Sequence, residues 1–183
     1  MKMAVCGTHC VGKTTIVNEL KKMFPKFGYV SEIVRNCPFE VNEKTTFKSQ
    51  EWILRHQIMS ELEKSLDDIT ICDRSVFDQL AYVNYAYEGG TISQSEREVI
   101  RSMVTAWGDT YDFVFYIPIE FDNVMDDGFR STDKIYRENI DKRVRNILML
   151  NVPEYKMMTL TGTIEERMET IKNKLYDLVE CRE

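Results

Sequence analysis

Gly7-Thr8-His9-Cys10-Val11-Gly12-Lys13-Thr14 decides how this chain is read. Gly7 and Gly12 let the backbone wrap tightly with no Cβ in the way, so successive N–H groups can turn to one side. Lys2 to Cys6, just before, reads as a short apolar strand. Lys13 to Phe24, just after, carries Ile16, Val17, Leu20 and Phe24 at helical spacing. A strand passing through a glycine turn into a helix gathers amide donors and the positive end of a helix dipole at one point, which is an anion site. The Lys and Thr that open the helix make that anion a nucleoside triphosphate. Lys13 is expected to reach the β- and γ-phosphates of ATP or GTP, and the Thr14 hydroxyl to ligate Mg²⁺. His9, Cys10 and Val11 complete the loop between the glycines, and Thr15 is positioned for an α-phosphate contact. The His9 side chain is read as facing solvent or serving as a spacer.

Working outward, short β-like runs alternate with longer helical patterns, which predicts a parallel sheet with helices on both faces. The expected strands are Lys2 to Cys6, Tyr29 to Val34, Ile69 to Cys72, Tyr111 to Ile117 and Tyr155 to Leu160. The expected helices between them include Thr46 to Leu66, with Trp52, Leu54, Ile58, Leu62 and Leu66 as its apolar face. Others are Val76 to Tyr87, one opened by a Ser93/Glu96 capping box, Asp133 to Leu150, and one from Thr163 to about Val179. This is an α/β, three-layer phosphate-loop NTPase fold with a five-stranded parallel sheet flanked by helices. It forms a single domain, 1–183, with a lid region around 120–137.

Composition sets the outer bounds. The 183 residues carry 24 basic and 30 acidic side chains, a formal charge of −6. Bulk nucleic-acid binding, which calls for a basic surplus, is therefore not expected. The five cysteines form neither a CxxC pair nor a zinc spacing. Cys6 and Cys72 fall in core strands, and the odd count fits a reducing compartment. No apolar run approaches the roughly 20 residues that span a bilayer, and the N-terminus enters a strand directly, so a cytoplasmic protein with no membrane partner is expected.

Other chemistry gathers where strands end. Ligands of open α/β sheets bind outside the carboxyl ends of the strands, and Asp73 follows Ile69-Thr70-Ile71-Cys72 there, able to hold Mg²⁺ directly or through water. Arg74 shares that rim, and Ser75 is the expected cap of the next helix. Glu32, near the end of the second strand, could take the proton of an acceptor hydroxyl or orient it. Arg35 could clamp an acceptor phosphate. The competing reading of Glu32 and Arg35 is a surface ion pair. Gln50 could bond a nucleobase edge with Phe47 stacked on it, or the two simply begin a helix. Arg130 and Arg137 could close over the triphosphate as a lid.

With these residues in view, the chain resembles the thymidylate kinase and deoxynucleoside kinase group of phosphate-loop kinases, and the related nicotinamide riboside kinase-type ATPase domains. The residues that carry the likeness are Gly7, Gly12, Lys13 and Thr14; the Asp73-Arg74-Ser75 triplet, similar to the Asp/Glu-Arg-Ser motif of deoxynucleoside kinases; Glu32; and Arg130 with Arg137. The resemblance implies an acidic Asp73 serving the metal or base, an Arg74 contacting phosphate or the acceptor, a Glu32 meeting the acceptor 5′-hydroxyl, and the possibility of a homodimer. Ile33-Val34-Arg35 lacks the Pro and downstream Trp of deoxynucleoside kinases. Ser75 stands where thymidylate kinases carry an aromatic residue. The expectation is an ATP- and Mg²⁺-dependent phosphotransferase acting on a small nucleoside or nucleoside monophosphate. The alternatives are an ATPase or GTPase switch, a nucleotide sensor, and a kinase of nucleic-acid or modified-base acceptors. Asn173-Lys174-Leu175-Tyr176 lacks the Asp of a guanine-reading Asn-Lys-x-Asp motif, which counts against a GTPase.

Overall fold

The computed structural model describes residues 1–121 and 131–180. Five strands form one sheet: β1 (Lys2–Cys6), β2 (Gly28–Val30), β3 (Thr70–Asp73), β4 (Phe113–Tyr116) and β5 (Met157–Thr159). All pairings are parallel, in the order β2-β3-β1-β4-β5. The helices are α1 (Lys13–Met23), α2 (Phe47–Glu63), α3 (Val76–Glu88), α4 (Gln94–Gly108), α5 (Lys134–Asn151) and α6 (Ile164–Glu180).

The pleat sorts the core into two layers. Met3 and Val5 of β1 join Ile71, Phe113 and Phe115 under α1 and α6, where Ile16, Leu20, Ile171 and Leu175 meet them. Ala4 and Cys6 point the other way, with Cys72, Val114 and Tyr116, toward α2, α3, α4 and α5. Alternate residues of one strand thus feed opposite layers, as a sheet covered on both faces requires. Ser75, Ser93 and Thr46 each close a capping box at α3, α4 and α2. Thr163 accepts from Glu166 N while Glu166 accepts from Thr163 N, which opens α6 in the same way.

Two expectations need correction. The second strand does not reach Val34. It pairs only with β3, and Val30 lies opposite Cys72. One residue beyond Asp73 the β3 chain turns away at Arg74, with φ +85°, so the ladder has no further partner. Residues 31–33 leave the sheet and Val34–Asn36 make one 3-10 turn. Glu32 therefore sits on a loop.

The inner face of α2 is also different from its apolar pattern. Ile53 and Leu54 are buried, but so are Ser49, Gln50, Gln57 and Glu61, while Leu62 is 48% and Leu66 94% exposed. The helix stops at Glu63, so Leu66 lies past its end. The cause is a polar network beneath it. The Glu61 carboxylate accepts from Lys2 Nζ at 2.6 Å, Trp107 Nε1 at 2.6 Å, Tyr111 OH at 2.7 Å and Gln57 Nε2 at 2.8 Å. Lys2 also lies over the Trp107 and Tyr111 rings, 4.4 and 4.5 Å from their centroids. A buried carboxylate is tolerable when it is paired and its lone pairs are filled, and satisfying Glu61 fixes which side of α2 turns inward. Among the described residues, no helix is long and apolar enough to cross a membrane.

Candidate active site

The loop between β1 and α1 is held in the conformation its glycines permit. Gly7 (φ +144°), Cys10 (φ +58°) and Gly12 (φ +94°) all take positive φ, and Gly12 caps α1 without a side chain. The first amides of a helix have no intrahelical acceptor, and the first turn of α1 carries no acidic residue to claim them.

Cations take the loop's carbonyls from the other side. Lys13 Nζ donates to Thr8 O at 2.5 Å, Arg137 Nε to His9 O at 3.2 Å, Arg137 Nη2 to Cys10 O at 2.9 Å, and Arg167 Nη1 to Val11 O at 2.9 Å. With four successive carbonyls so occupied, the amides of the loop are left to form an anion nest. Thr8 Oγ1 donates to Arg137 O at 3.3 Å, tying the loop to α5 a second time.

Lys13 is only 4% exposed. Burial, aided by the charge of Arg74, lowers its pKa to about 8, while Asp78, Asp73 and Glu32 pull the other way. Beside it the Thr14 hydroxyl donates to Asp73 Oδ2 at 2.6 Å. The other Asp73 oxygen, Oδ1, is buried with no hydrogen-bond partner among the described residues, and burial raises the Asp73 pKa. A hydroxyl and a carboxylate with one unfilled oxygen fit a hard divalent cation that takes its remaining ligands from water and phosphates. Among the described residues no cluster of three or more His, Cys, Asp or Glu could hold a metal by itself.

Arg74 brings the second half of the site. Its left-handed backbone is held by Arg74 N donating to Val5 O at 3.0 Å and by Gln57 Nε2 donating to Arg74 O at 3.4 Å. The guanidinium grips one oxygen of Glu32, with Nε and Nη2 each 2.8 Å from Oε1. Both side chains are 5% exposed. The Arg35 guanidinium reaches Glu32 Oε2 at 3.3 Å from a 44% exposed position, so the ion pair expected between them exists, with Glu32 inside and Arg35 at the rim. Glu32, Arg74, His9, Gln50, Gln79 and Tyr82 line a cleft of about 20 Å³, against roughly 300–1,000 Å³ for a ligand pocket. The cleft is therefore closed in this conformation. Gln50 Nε2 donates to Thr45 Oγ1 at 3.0 Å, and its Oε1 has no partner among the described residues.

Lys13, Thr14, Asp73, Arg74, Glu32, Gln50 and His9 thus converge at the carboxyl edge of the sheet. His9 is 2% exposed, not solvent-facing. Its ring lies 5.7 Å from that of Tyr136, and Nδ1 is 3.4 Å from Thr8 Oγ1. The Thr15 side chain is exposed. Phe47 packs against the core. Arg137 is buried under the phosphate loop, with Nη1 also donating to Phe121 O at 3.2 Å. Arg130 lies outside the described residues, as does half of the expected lid.

Three features went unread in the sequence. Arg167 resembles any helix-surface arginine until α6 packs against the loop. Asp78 looks like an ordinary cap partner of Ser75. The third is a cleft of about 390 Å³ between Cys10 and Gly12 of the loop, Pro118 to Phe121, and Gly162 to Glu165. Its floor is fixed by Glu120, which accepts from Gly162 N at 3.0 Å and pairs with Arg167. Only the glycine of the β5–α6 turn, Gly162, hinted at it.

The fold recurs in solved structures. Deoxyadenosine kinase from M. mycoides, with products dCMP and a flexible dCDP bound, superposes with a TM-score of 0.77 at 19% identity, over 97% of this chain and 100% of that one. The same enzyme with bound dATP gives 0.75 at 19%, over 96% and 100%. NadR protein in complex with NR gives 0.75 at 17%, over 93% of this chain and 49% of that one. No curated protein matches the sequence. Residues 2–167 match the AAA domain family. Because that family model covers nine-tenths of the chain, the protein belongs to the AAA domain family.

Proposed function

We propose that the protein is an ATP- and Mg²⁺-dependent kinase that phosphorylates a nucleoside or a nucleoside monophosphate. The observation that carries this reading is the junction of two half-sites. A phosphate loop with Lys13, Thr14 and Asp73 lies against a closed polar cleft built on the Glu32–Arg74 pair. A bare hydrolase needs no such cleft. The deoxyadenosine kinase and NadR likenesses, with their nucleotide and NR ligands, support the same class.

In this reading the loop amides and Lys13 bind the β- and γ-phosphates of ATP. Thr14 and Asp73 would hold Mg²⁺, which supplies charge neutralisation on the phosphate oxygens. The cleft beside Gly162 receives the donor base. Glu32 accepts the proton of the acceptor hydroxyl as that oxygen bonds to the γ-phosphorus and the bond to ADP breaks. Arg74 holds Glu32 in line and offers its charge to the phosphoryl group. Gln50, through its unfilled Oε1, meets a donor on the acceptor base. Positioning and charge stabilisation supply most of the acceleration. The segment 120–137 acts as the lid of a single domain, with Arg130 in it. Arg137, fastened to the loop, braces the phosphates from beneath. Free thiols at Cys6, Cys10, Cys37 and Cys72 suit a reducing, cytoplasmic setting.

The test is ADP release from Mg-ATP against nucleosides, nucleoside monophosphates, nicotinamide riboside and buffer alone. Stimulation by one acceptor class supports the proposal. A substantial rate that is equal in every well rejects it for an ATPase, and ATP binding with no turnover rejects it for a sensor.

A further inference from the structure

We infer that Asp78 is the positioning residue that locks the phosphate loop to the Asp73-Arg74-Ser75 turn, so that the donor and acceptor halves of the site move as one body. Its effect on turnover rests on the kinase reading above; the clamp itself rests on geometry alone. Asp78 lies in the first turn of α3 and is fully buried. Its Oδ2 accepts from Ser75 N and Ser75 Oγ, both at 2.8 Å. Its Oδ1 accepts from Gly7 N at 2.9 Å, across 71 residues of chain. Arg74 Nη1 is 3.9 Å from the same oxygen.

A capping box asks of its acidic residue only a bond to the N-cap amide. Ser93 and Glu96 make such a box on α4 in an exposed setting. At α3 the second oxygen is instead spent on the phosphate loop, and the whole carboxylate is buried, which is costly unless its lone pairs are filled. On its other side Gly7 packs so closely on the Ile117 carbonyl that an added Cβ would overlap its oxygen, so no larger residue fits there. The loop's entry thus lies between Ile117, just past β4, and Asp78.

Two bonds join the loop to the turn, Thr14 to Asp73 and Gly7 to Asp78. The first uses the groups that the proposed metal would claim. The second uses none of them, so it persists while the metal and nucleotide exchange. Asp78 also faces Lys13 together with Arg74, Asp73 and Glu32, and its charge opposes the burial that disfavours the ammonium.

The experiment compares D78N with S75A in the full chain. All three partners of Asp78 are donors, so an amide NH₂ must oppose one of them. Keeping both Ser75 bonds on the amide oxygen sets the NH₂ against Gly7 N–H, so D78N opens the loop side and leaves the cap. S75A does the reverse. D78N is expected to lower kcat/KM for ATP roughly 10- to 100-fold, as loss of a buried hydrogen bond to a charged group implies. Hydrogen exchange of the Gly7 amide becomes faster. S75A lowers the thermal midpoint and lowers kcat/KM less than D78N does. A D78N enzyme with the wild-type kcat/KM, unchanged exchange of the Gly7 amide, or an equal kinetic loss in S75A overturns the inference and leaves Asp78 as a cap.

If the wild-type chain transfers phosphate to no acceptor, the kinase reading falls by itself. Mg-ATP dissociation and Gly7 exchange then decide the clamp: weaker binding and faster exchange in D78N support it, and no change in either overturns it. Should D78N fail to fold, wild-type exchange decides. The Gly7 and Ser75 amides share one carboxylate, so they are expected to exchange within about threefold of each other as one opening unit. Independent rates overturn the clamp.

Discussion

Replacing Lys13 by Met is expected to stabilise the free protein at neutral pH while abolishing its binding of Mg-ATP. Lys13 is buried, and its pKa falls from 10.5 to about 8. At 1.36 kcal/mol per unit, holding the ammonium inside at pH 7 costs roughly 3 kcal/mol. Met removes that cost but also the bond from Nζ to Thr8 O, and a hydrogen bond to a charged group contributes about 1.5–3 kcal/mol. The balance is about 1 kcal/mol in favour of the variant, or roughly 2–4 °C in thermal midpoint for a chain of this size.

The pH dependence fixes the mechanism. Between pH 8 and 10.5 the unfolded chain binds more protons at this site than the folded one, so wild-type stability gains from this group as pH rises through that window. The advantage of K13M is therefore largest below pH 8 and shrinks above it. Thermal or urea unfolding of both proteins at pH 7 and pH 9.5, with ATP titrations at pH 7, reads all of this. A variant less stable than wild type at pH 7, an advantage that grows with pH, or undiminished ATP binding would refute the reasoning.

Three further outcomes follow from the same contacts. Glu32→Gln breaks a buried pair and leaves Arg74 without its nearest anion, so unfolding free energy should fall by about 3–5 kcal/mol; acceptor-dependent turnover is lost while isothermal titration finds ATP affinity little changed. Arg137→Ala strips donors from the His9 and Cys10 carbonyls, and fluorescence titration should find ATP bound about tenfold more weakly, the loss expected when a charged hydrogen-bond donor is removed. Glu61→Leu, at the far end of the sheet, leaves the half-buried Lys2 ammonium over the rings without its carboxylate; its thermal midpoint should drop sharply while KM for both substrates stays at the wild-type value.

How far the sequence could be read depended on whether each feature was local. The phosphate loop, the Ser75 and Ser93 caps and the alternation of β1 are set by residues within a turn of one another. Their spacing therefore carried the sheet, the helices and the donor half of the site. The end of β2 was not legible, because its only partner, β3, ends where the chain turns at Arg74, far away in sequence. The inner face of α2 was misread because periodicity counts apolar residues, and Glu61 is turned inward by donors from β1, α4 and the segment that enters β4. Arg137 reads as a lid arginine and Arg167 as an ordinary helix-surface charge. Only the packing of α5 and α6 brings their guanidinium groups to the loop carbonyls. The acceptor half stayed open for a related reason: Glu32, Gln50, Arg74 and Gln79 come from three separate segments, and no spacing rule relates them.

The most direct test of the account is the fate of the γ-phosphoryl group of ATP, followed by ³¹P NMR in the presence of the acceptor that best stimulates ADP release. The account predicts a phosphate ester on the acceptor, formed one-for-one with ADP and absent when Glu32→Gln replaces the wild type. Inorganic phosphate as the sole product, at a rate indifferent to the acceptor and to Glu32, would contradict it.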